Sequence, residues 1–175
     1  MNDFTKKIVE RRSVKRFKQD MIPQEILEDI LKAGTYAPTG RNAQSPLILA
    51  VTNQAMRDRL SALNAKILRR EDIDPFYGAP IVIAVLADRS VPTYLYDGSA
   101  VMENMMLSAS SYGIGSCWIH RAKEMFETEE GKKILEELGI RGNYEGIGNC
   151  VLGYADENFK FAPNPRKENY IRYIR

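Results

Sequence analysis

A mixed fold of helices and strands, α/β or α+β, is what this sequence predicts, on three observations. Long segments with apolar residues at helical spacing alternate with short apolar runs of strand length. Clusters of Pro, Gly and Asn separate them. The chain has 175 residues, 44% hydrophobic and 27% charged, which is enough to bury a full core as one domain without a disulfide or metal staple.

The elements follow in order. "FTKKIVERR" sets Phe4 and Ile8 on one helical face. "MIPQEILEDILKAG" predicts a helix: Pro23 suits the first turn, acids follow it, and Ile26, Leu27, Ile30 and Leu31 form the apolar stripe. Gly34 is expected to end it. "TYAPTGRNAQSP" reads as a loop, and Leu47 to Thr52 as a buried strand. In "NQAMRDRLSALNAKILRR", Met56, Leu60, Leu63 and Ile67 recur at helical spacing. Ile81 to Ala87 is a second buried strand. "YDGSAVMENMMLSASSYGI" is a longer helix with Val101, Met102, Met105, Met106 and Ala109 inward, its methionines read as core filler. "GSCWI" is a third strand, "MFETEEGKKILEELGI" is helical with a break at Gly131, and "GIGNCVLGY" is the fourth strand. A polar stretch, "ADENFKFAPNPRKEN", leads to the end "YIRYIR". Ordering an isolated tail costs more entropy than it returns. The tail is therefore expected to dock, as an edge strand or as an arm on a partner subunit.

Charge narrows the function classes. The net charge is only +2, so a globally basic nucleic-acid binder is excluded. Yet Lys6 to Lys18 holds seven basic side chains against the single acid Glu10. In "VERRSVKRFKQD", Arg11, Arg12 and Lys15 surround Ser13. On composition alone the plainest reading is a solvated basic face. Three cations beside a hydroxyl also suit a phosphate, since Arg donates in pairs and Lys adds a point charge. A nucleic-acid patch is a further reading, but it wants more positive charge elsewhere and exposed aromatics.

Other motifs are ambiguous alone. In "APTGRNAQSP", Pro38 and Pro46 stiffen a loop whose Thr39, Asn42 and Gln44 carry the donors and acceptors that read the edge of a planar heterocycle. Trp118 and His120, the chain's only Trp and His, fall in "GSCWIHRAKEMF". On a strand Cys117 and His120 point to opposite faces, against a nucleophile–base pair. Cys117 and Cys150 lie in apolar runs and read as buried core residues of a reducing compartment. No metal-ligand cluster, GxGxxG before a helix, or GxxxxGK[ST] is present. With no leader-like apolar segment and no run of about 20 apolar residues, the expectation is a cytoplasmic protein with no membrane partner.

Five of these pieces occur together, in order, in one family. "ERRSVKRF", "APTGRNAQSP", "YGAPIVIAV", "YGIGSCWI", and "CVLGYADE" with the later "PNPRKEN" resemble the motifs of the FMN-dependent nitroreductase family in its short form. The resemblance implies an α+β fold, with a central mixed or antiparallel sheet of four or five strands flanked by helices, in an intertwined homodimer. It implies a single FMN-binding domain over 1–175, its tail (about 163–175) packing on the partner subunit. The FMN phosphate would be gripped by Arg11, Arg12, Ser13 and Arg166, with Lys15 near the pyrimidine side of the ring. Pro38, Thr39, Asn42 and Gln44 would act across the subunit interface, and Trp118, Ile119 and His120 would lie against the flavin. No catalytic side chain is required, because the flavin carries the chemistry; His120 is a pocket residue. His120 and Arg121 stand where the family usually has glycines.

The activity so implied is electron transfer from NADH or NADPH to a nitroaromatic, quinone or similar small acceptor, by a ping-pong mechanism. Reductive dehalogenation or flavin breakdown on the same fold is the alternative. A nucleic-acid or anion-binding module using the Lys6–Lys18 patch is a rival from another class.

Overall fold

The fold is α+β, in three layers around one antiparallel sheet. The structure, a computed structural model, describes residues 1–159 and 163–175. Its elements run α1 (Asp3–Glu10), α2 (Gln24–Thr35), β1 (Pro46–Val51), α3 (Gln54–Leu68), β2 (Ile81–Asp88), α4 (Tyr94–Ser111), β3 (Gly115–Ile119), α5 (Ala122–Glu127), α6 (Glu129–Glu137) and β4 (Tyr144–Gly153). The strand order is β1-β2-β4-β3, and all three pairings are antiparallel.

Strand β2 is central and buried on both faces. Val82, Ala84 and Leu86 point into a core closed by Leu60 and Leu63 of α3, Met125 and Phe126 of α5, and Ile134 of α6. Ile81, Ile83 and Val85 point the other way, onto Leu27 and Ile30 of α2 and Val101, Met102 and Met105 of α4. This explains the continuous apolar run in β2: helices cover both faces. Strand β1 was expected to be buried, but as an edge strand it is only partly so.

Two glycines differ from their expected roles. Gly34 does not end α2; it lies inside the helix, and a Cβ there would sit 2.8 Å from Met105 Cγ of α4. The break between α5 and α6 falls at Thr128, whose hydroxyl accepts from the Gly131 N–H at 2.9 Å as a helix cap. Gly131 belongs to the first turn of α6, and its Cβ would meet the Met125 carbonyl oxygen at 2.0 Å. Alanine there gains about 1 kcal/mol of helix propensity, but the obstacle is backbone. We expect Gly131→Ala to lower the unfolding free energy by about 2 kcal/mol, read from urea denaturation; an unchanged midpoint would contradict the close approach.

Both cysteines are free and buried. Burial pushes the Cys150 thiol up to about 12, and burial also raises Cys117 against the opposing influence of Ser13, Lys15 and Arg11. Neither thiol is activated for attack. Among the described residues, no helix is long and apolar enough to cross a membrane. The described tail residues, 163–175, form no strand and are all exposed, so the edge-strand expectation does not hold. Lys160, Phe161 and Ala162 of the polar stretch lie outside the described residues.

Candidate functional site

The basic segment is laid along one edge of the sheet. Helix α1 stops at Glu10, and Arg11 turns extended with ψ 136°. The chain then runs beside β3: the Val14 N–H donates to the Ser116 carbonyl at 2.9 Å, and Ser13 bridges Ser116 in parallel. It continues to the end of β4, where the Lys18 N–H donates to the Tyr154 carbonyl at 2.9 Å and Phe17 is buried. Gly115 admits Val14, since a Cβ there would be 2.9 Å from Val14 Cγ2.

This placement sorts the cations. Arg16 pairs with the half-buried Asp156 at 3.2 Å and Lys18 with the exposed Glu157 at 2.6 Å, both at the rim. Arg12 Nη1 donates to the Val9 carbonyl at 2.5 Å and the Arg11 carbonyl at 2.8 Å, closing the end of α1. Arg11 and Lys15 have no ion pair among the described residues, and Arg11 Nη1 is buried without any hydrogen-bond acceptor. A buried, unpaired guanidinium nitrogen is costly unless a ligand supplies the acceptor.

The second part is the loop before β1. It is held by Asp97, a buried carboxylate in the first turn of α4. Asp97 accepts from the Gly40 N–H at 3.0 Å, the Ser45 hydroxyl at 2.8 Å and the Thr93 hydroxyl at 3.0 Å. Thr39 Oγ1 accepts from the Gln44 N–H at 3.1 Å, and Gln44 Nε2 donates to Asn42 Oδ1 at 3.3 Å. Arg41, Asn42 and Gln44 all have positive φ, of 54°, 54° and 49°. Such strain persists only where the surroundings impose it. Pro38, Asn42 and Gln44 are exposed and Thr39 half-buried, beside a cavity of about 300 Å³ lined by Thr39, Gln44, Leu47 and Val101.

The third part is the end of β3. Ile119 is buried on the α3–α5–α6 side, while Trp118 packs on the α2–α4 side. Gly148 makes room for the indole: a Cβ there would be 2.6 Å from Trp118 Nε1. His120 is exposed beyond the strand. Asn64 of α3, fully buried, donates to the His120 carbonyl at 2.9 Å and accepts from Arg121 Nε at 3.1 Å.

These parts do not all meet within one chain. The basic segment and the β3 turn share one edge of the sheet, whereas the Pro38–Gln44 loop feeds β1 at the other edge. Three strand spacings separate the edges, about 14 Å. Arg166 lies on the exposed tail, with no hydrogen bond or ion pair to the basic segment among the described residues. Asp97 and Asn64 escaped the sequence reading. Both lie on stripes already read as buried, four residues from Val101 and Leu60. A polar residue at such a position was the available signal.

This antiparallel α+β fold is shared with solved nitroreductases that hold FMN. A nitroreductase with bound FMN from Bacteroides fragilis NCTC 9343 has a TM-score of 0.93 and 29% identity, with both chains covered fully. A nitroreductase with bound FMN from Desulfitobacterium hafniense DCB-2 has a TM-score of 0.88 and 26% identity, again with full coverage of both. A protein of Archaeoglobus fulgidus, provisionally named NADH dehydrogenase/NAD(P)H nitroreductase, is 32% identical over 124 residues, 68% of each chain. The model of the nitroreductase family matches residues 8–154, and this chain belongs to that family.

Proposed function

We propose that this chain is an FMN-dependent oxidoreductase that passes electrons from NADH or NADPH to a nitroaromatic, quinone or similar small acceptor, with ping-pong kinetics. The observation that carries the reading is the basic edge itself. Arg11 has a buried nitrogen lacking an acceptor, and Lys15 is unpaired, while the neighbouring Arg16 and Lys18 are neutralised. An anion with several oxygens, such as a phosphate, fits that donor set. FMN is the phosphate-bearing cofactor of the structural relatives.

In this reading Arg11 and Ser13 hold the phosphate, joined by Arg166. Arg12 contributes less, because its Nη1 already serves α1. Residues 13–15 run parallel to the start of β3, so Lys15 lies further along toward Trp118, Ile119 and His120, the segment assigned to the ring. Positive charge from Lys15 there favours the reduced, anionic form of a flavin. When bound, the flavin supplies the hydride and electron transfer; the protein binds, orients and excludes water.

The reading also makes the chain one FMN-binding domain working as a homodimer. Pro38, Thr39, Asn42 and Gln44 stand at the wrong edge to reach the basic segment of their own chain, so they serve the site of a second copy. Surfaces for that copy exist. Helix α1 buries none of its residues and exposes Phe4 (68%) and Val9 (53%), and the tail exposes Ile171 and Tyr173. A second copy covering both would remove that apolar area from water.

FMN titration of the stripped protein, followed by flavin fluorescence, tests the proposal. Arg11→Ala should weaken FMN by about 1.5–3 kcal/mol, the worth of a hydrogen bond to a charged group. Arg16→Ala, which removes a rim ion pair, should leave the affinity unchanged. A protein that takes up no FMN, or an Arg11→Ala variant that binds it as tightly, would overturn the reading. Steady-state rates with NADH and NADPH against an acceptor panel then identify the substrates, parallel double-reciprocal lines marking ping-pong order.

A further inference from the structure

The turn after β3 is built in a way that a glycine would have made unnecessary. Arg121 has φ 75° and ψ 13°, in the left-handed region. That conformation costs a non-glycine residue about 1 kcal/mol. It is held from a distance: Asn64, on α3, grips the turn through the His120 carbonyl and through Arg121 Nε. Both ends of a fully buried amide are engaged, and Asn64 Nδ2 also approaches Met125 Sδ at 3.1 Å. The Nε bond to Asn64 restrains the guanidinium, and its two terminal NH2 groups make no hydrogen bond among the described residues.

The surrounding cations differ. Lys123 and Arg89 lie 3.2 and 3.4 Å from the buried Glu145 carboxylate. Arg59 lies 2.6 Å from both Glu130 and Glu137. Arg121 is half-buried and has no carboxylate partner among the described residues. An oriented, unpaired guanidinium on a strained turn beside exposed His120 is a recognition device for a carboxylate or phosphate.

We propose that Arg121 is a specificity-determining residue that binds an anionic group on a molecule entering the site, and that Asn64 is its positioning residue. The inference rests on the FMN reading above, which sets this turn beside the ring. The anionic group has two sources, a carboxylate on the acceptor or the extra phosphate of NADPH.

The experiment uses FMN-loaded wild type, Arg121→Gly, Arg121→Lys and Asn64→Ala. Arg121→Gly relieves the positive φ, so the turn persists without the charge. KM and kcat are measured separately for para-nitrobenzoate against para-nitrobenzyl alcohol, and for NADPH against NADH. Dissociation constants of benzoate and adenosine 2′-monophosphate are measured by calorimetry. In Arg121→Gly, KM for one anionic member and the dissociation constant of its matching probe should rise about tenfold or more, the worth of a charge-assisted contact. The counterpart that lacks the added anionic group, para-nitrobenzyl alcohol or NADH, should change much less. Arg121→Lys should recover part of the preference. Asn64→Ala should raise KM more for the member that carries the added anionic group than for its counterpart. If wild type favours neither para-nitrobenzoate over para-nitrobenzyl alcohol nor NADPH over NADH, or Arg121→Gly keeps the preference, the inference falls. If Asn64→Ala weakens both members equally, the positioning role falls. FMN affinity of the same proteins separates the two readings: no FMN uptake by wild type overturns the functional proposal, whereas FMN uptake without anion preference overturns this one alone.

Discussion

Asp97→Ala lowers the unfolding free energy by about 3 kcal/mol or more and releases the Thr39–Ser45 loop. The carboxylate is 3% exposed and is the common acceptor for the Gly40 N–H and the Ser45 and Thr93 hydroxyls. Truncation leaves three donors without it, at about 1–3 kcal/mol for each that stays buried. It also removes the acid in the first turn of α4, where the helix dipole favours negative charge. Water reaching Gly40 relieves part of the cost. Arg41, Asn42 and Gln44 then relax from their positive φ values, so Asn42 and Gln44 lose their fixed directions. Asp97→Asn keeps one acceptor and the shape, and should lose less than half as much. Urea unfolding monitored at Trp118 measures both. A loss below about 1 kcal/mol for Asp97→Ala would mean that the loop is held by its own residues.

The second large effect concerns Asp74. Burial by itself would raise its carboxyl's pKa, yet hydrogen bonds from Arg57, Ser61 and the Phe76 and Gly78 N–H groups outweigh burial, and the net shift from 3.8 is downward. A group depressed in the folded state stabilises above its unfolded pKa, and that stability is lost as pH falls through the lower folded value. Acid should therefore weaken the fold below about pH 4, and Asp74→Ala should flatten that part of the profile. At neutral pH Asp74→Ala should cost about 3 kcal/mol, near the low end for a broken buried pair because Asp74 is 34% exposed. The partner explains the size. Arg57 is buried, donates to the Ala79 carbonyl at 3.0 Å, and lies over the Phe76 ring at 5.6 Å. Without Asp74 its charge keeps only the exposed Asp58 carboxylate, at 3.1 Å, and the Ala79 carbonyl. Arg57→Met in the same background should restore much of the loss; further loss would show that the guanidinium stabilises without its acid.

Much of the fold was legible because its signals are local. Leu27 and Ile30, or Val101, Met102 and Met105, declare a helix face within one or two turns, and the apolar run of β2 declares a strand. Gly34 and Gly131 were misjudged for a physical reason. Glycine is read locally as a helix ender, but here each is required by atoms from another segment, Met105 and the Met125 carbonyl. The candidate site divides the same way. The cluster of cations was visible in sequence, but which were free was not. Arg16 and Lys18 are neutralised by Asp156 and Glu157, some 139 residues away for the second pair. The grip of Asn64 on the 120–121 turn depends likewise on how α3 packs against α5, which no spacing within one segment reveals.

The docking of residues 13–18 also sets an order of assembly. Their partners are Ser116, Tyr154, Ala155 and Asp156, all about 100 residues or more further along the chain. Residues 13–18 are synthesised well before these partners, so they are among the last to find their place. Contacts of such sequence separation slow folding. Until they form, β3 presents an open edge to other chains. The proposed cofactor grip is in effect the final seam of the fold, and a chain cut short before Tyr154 cannot close it.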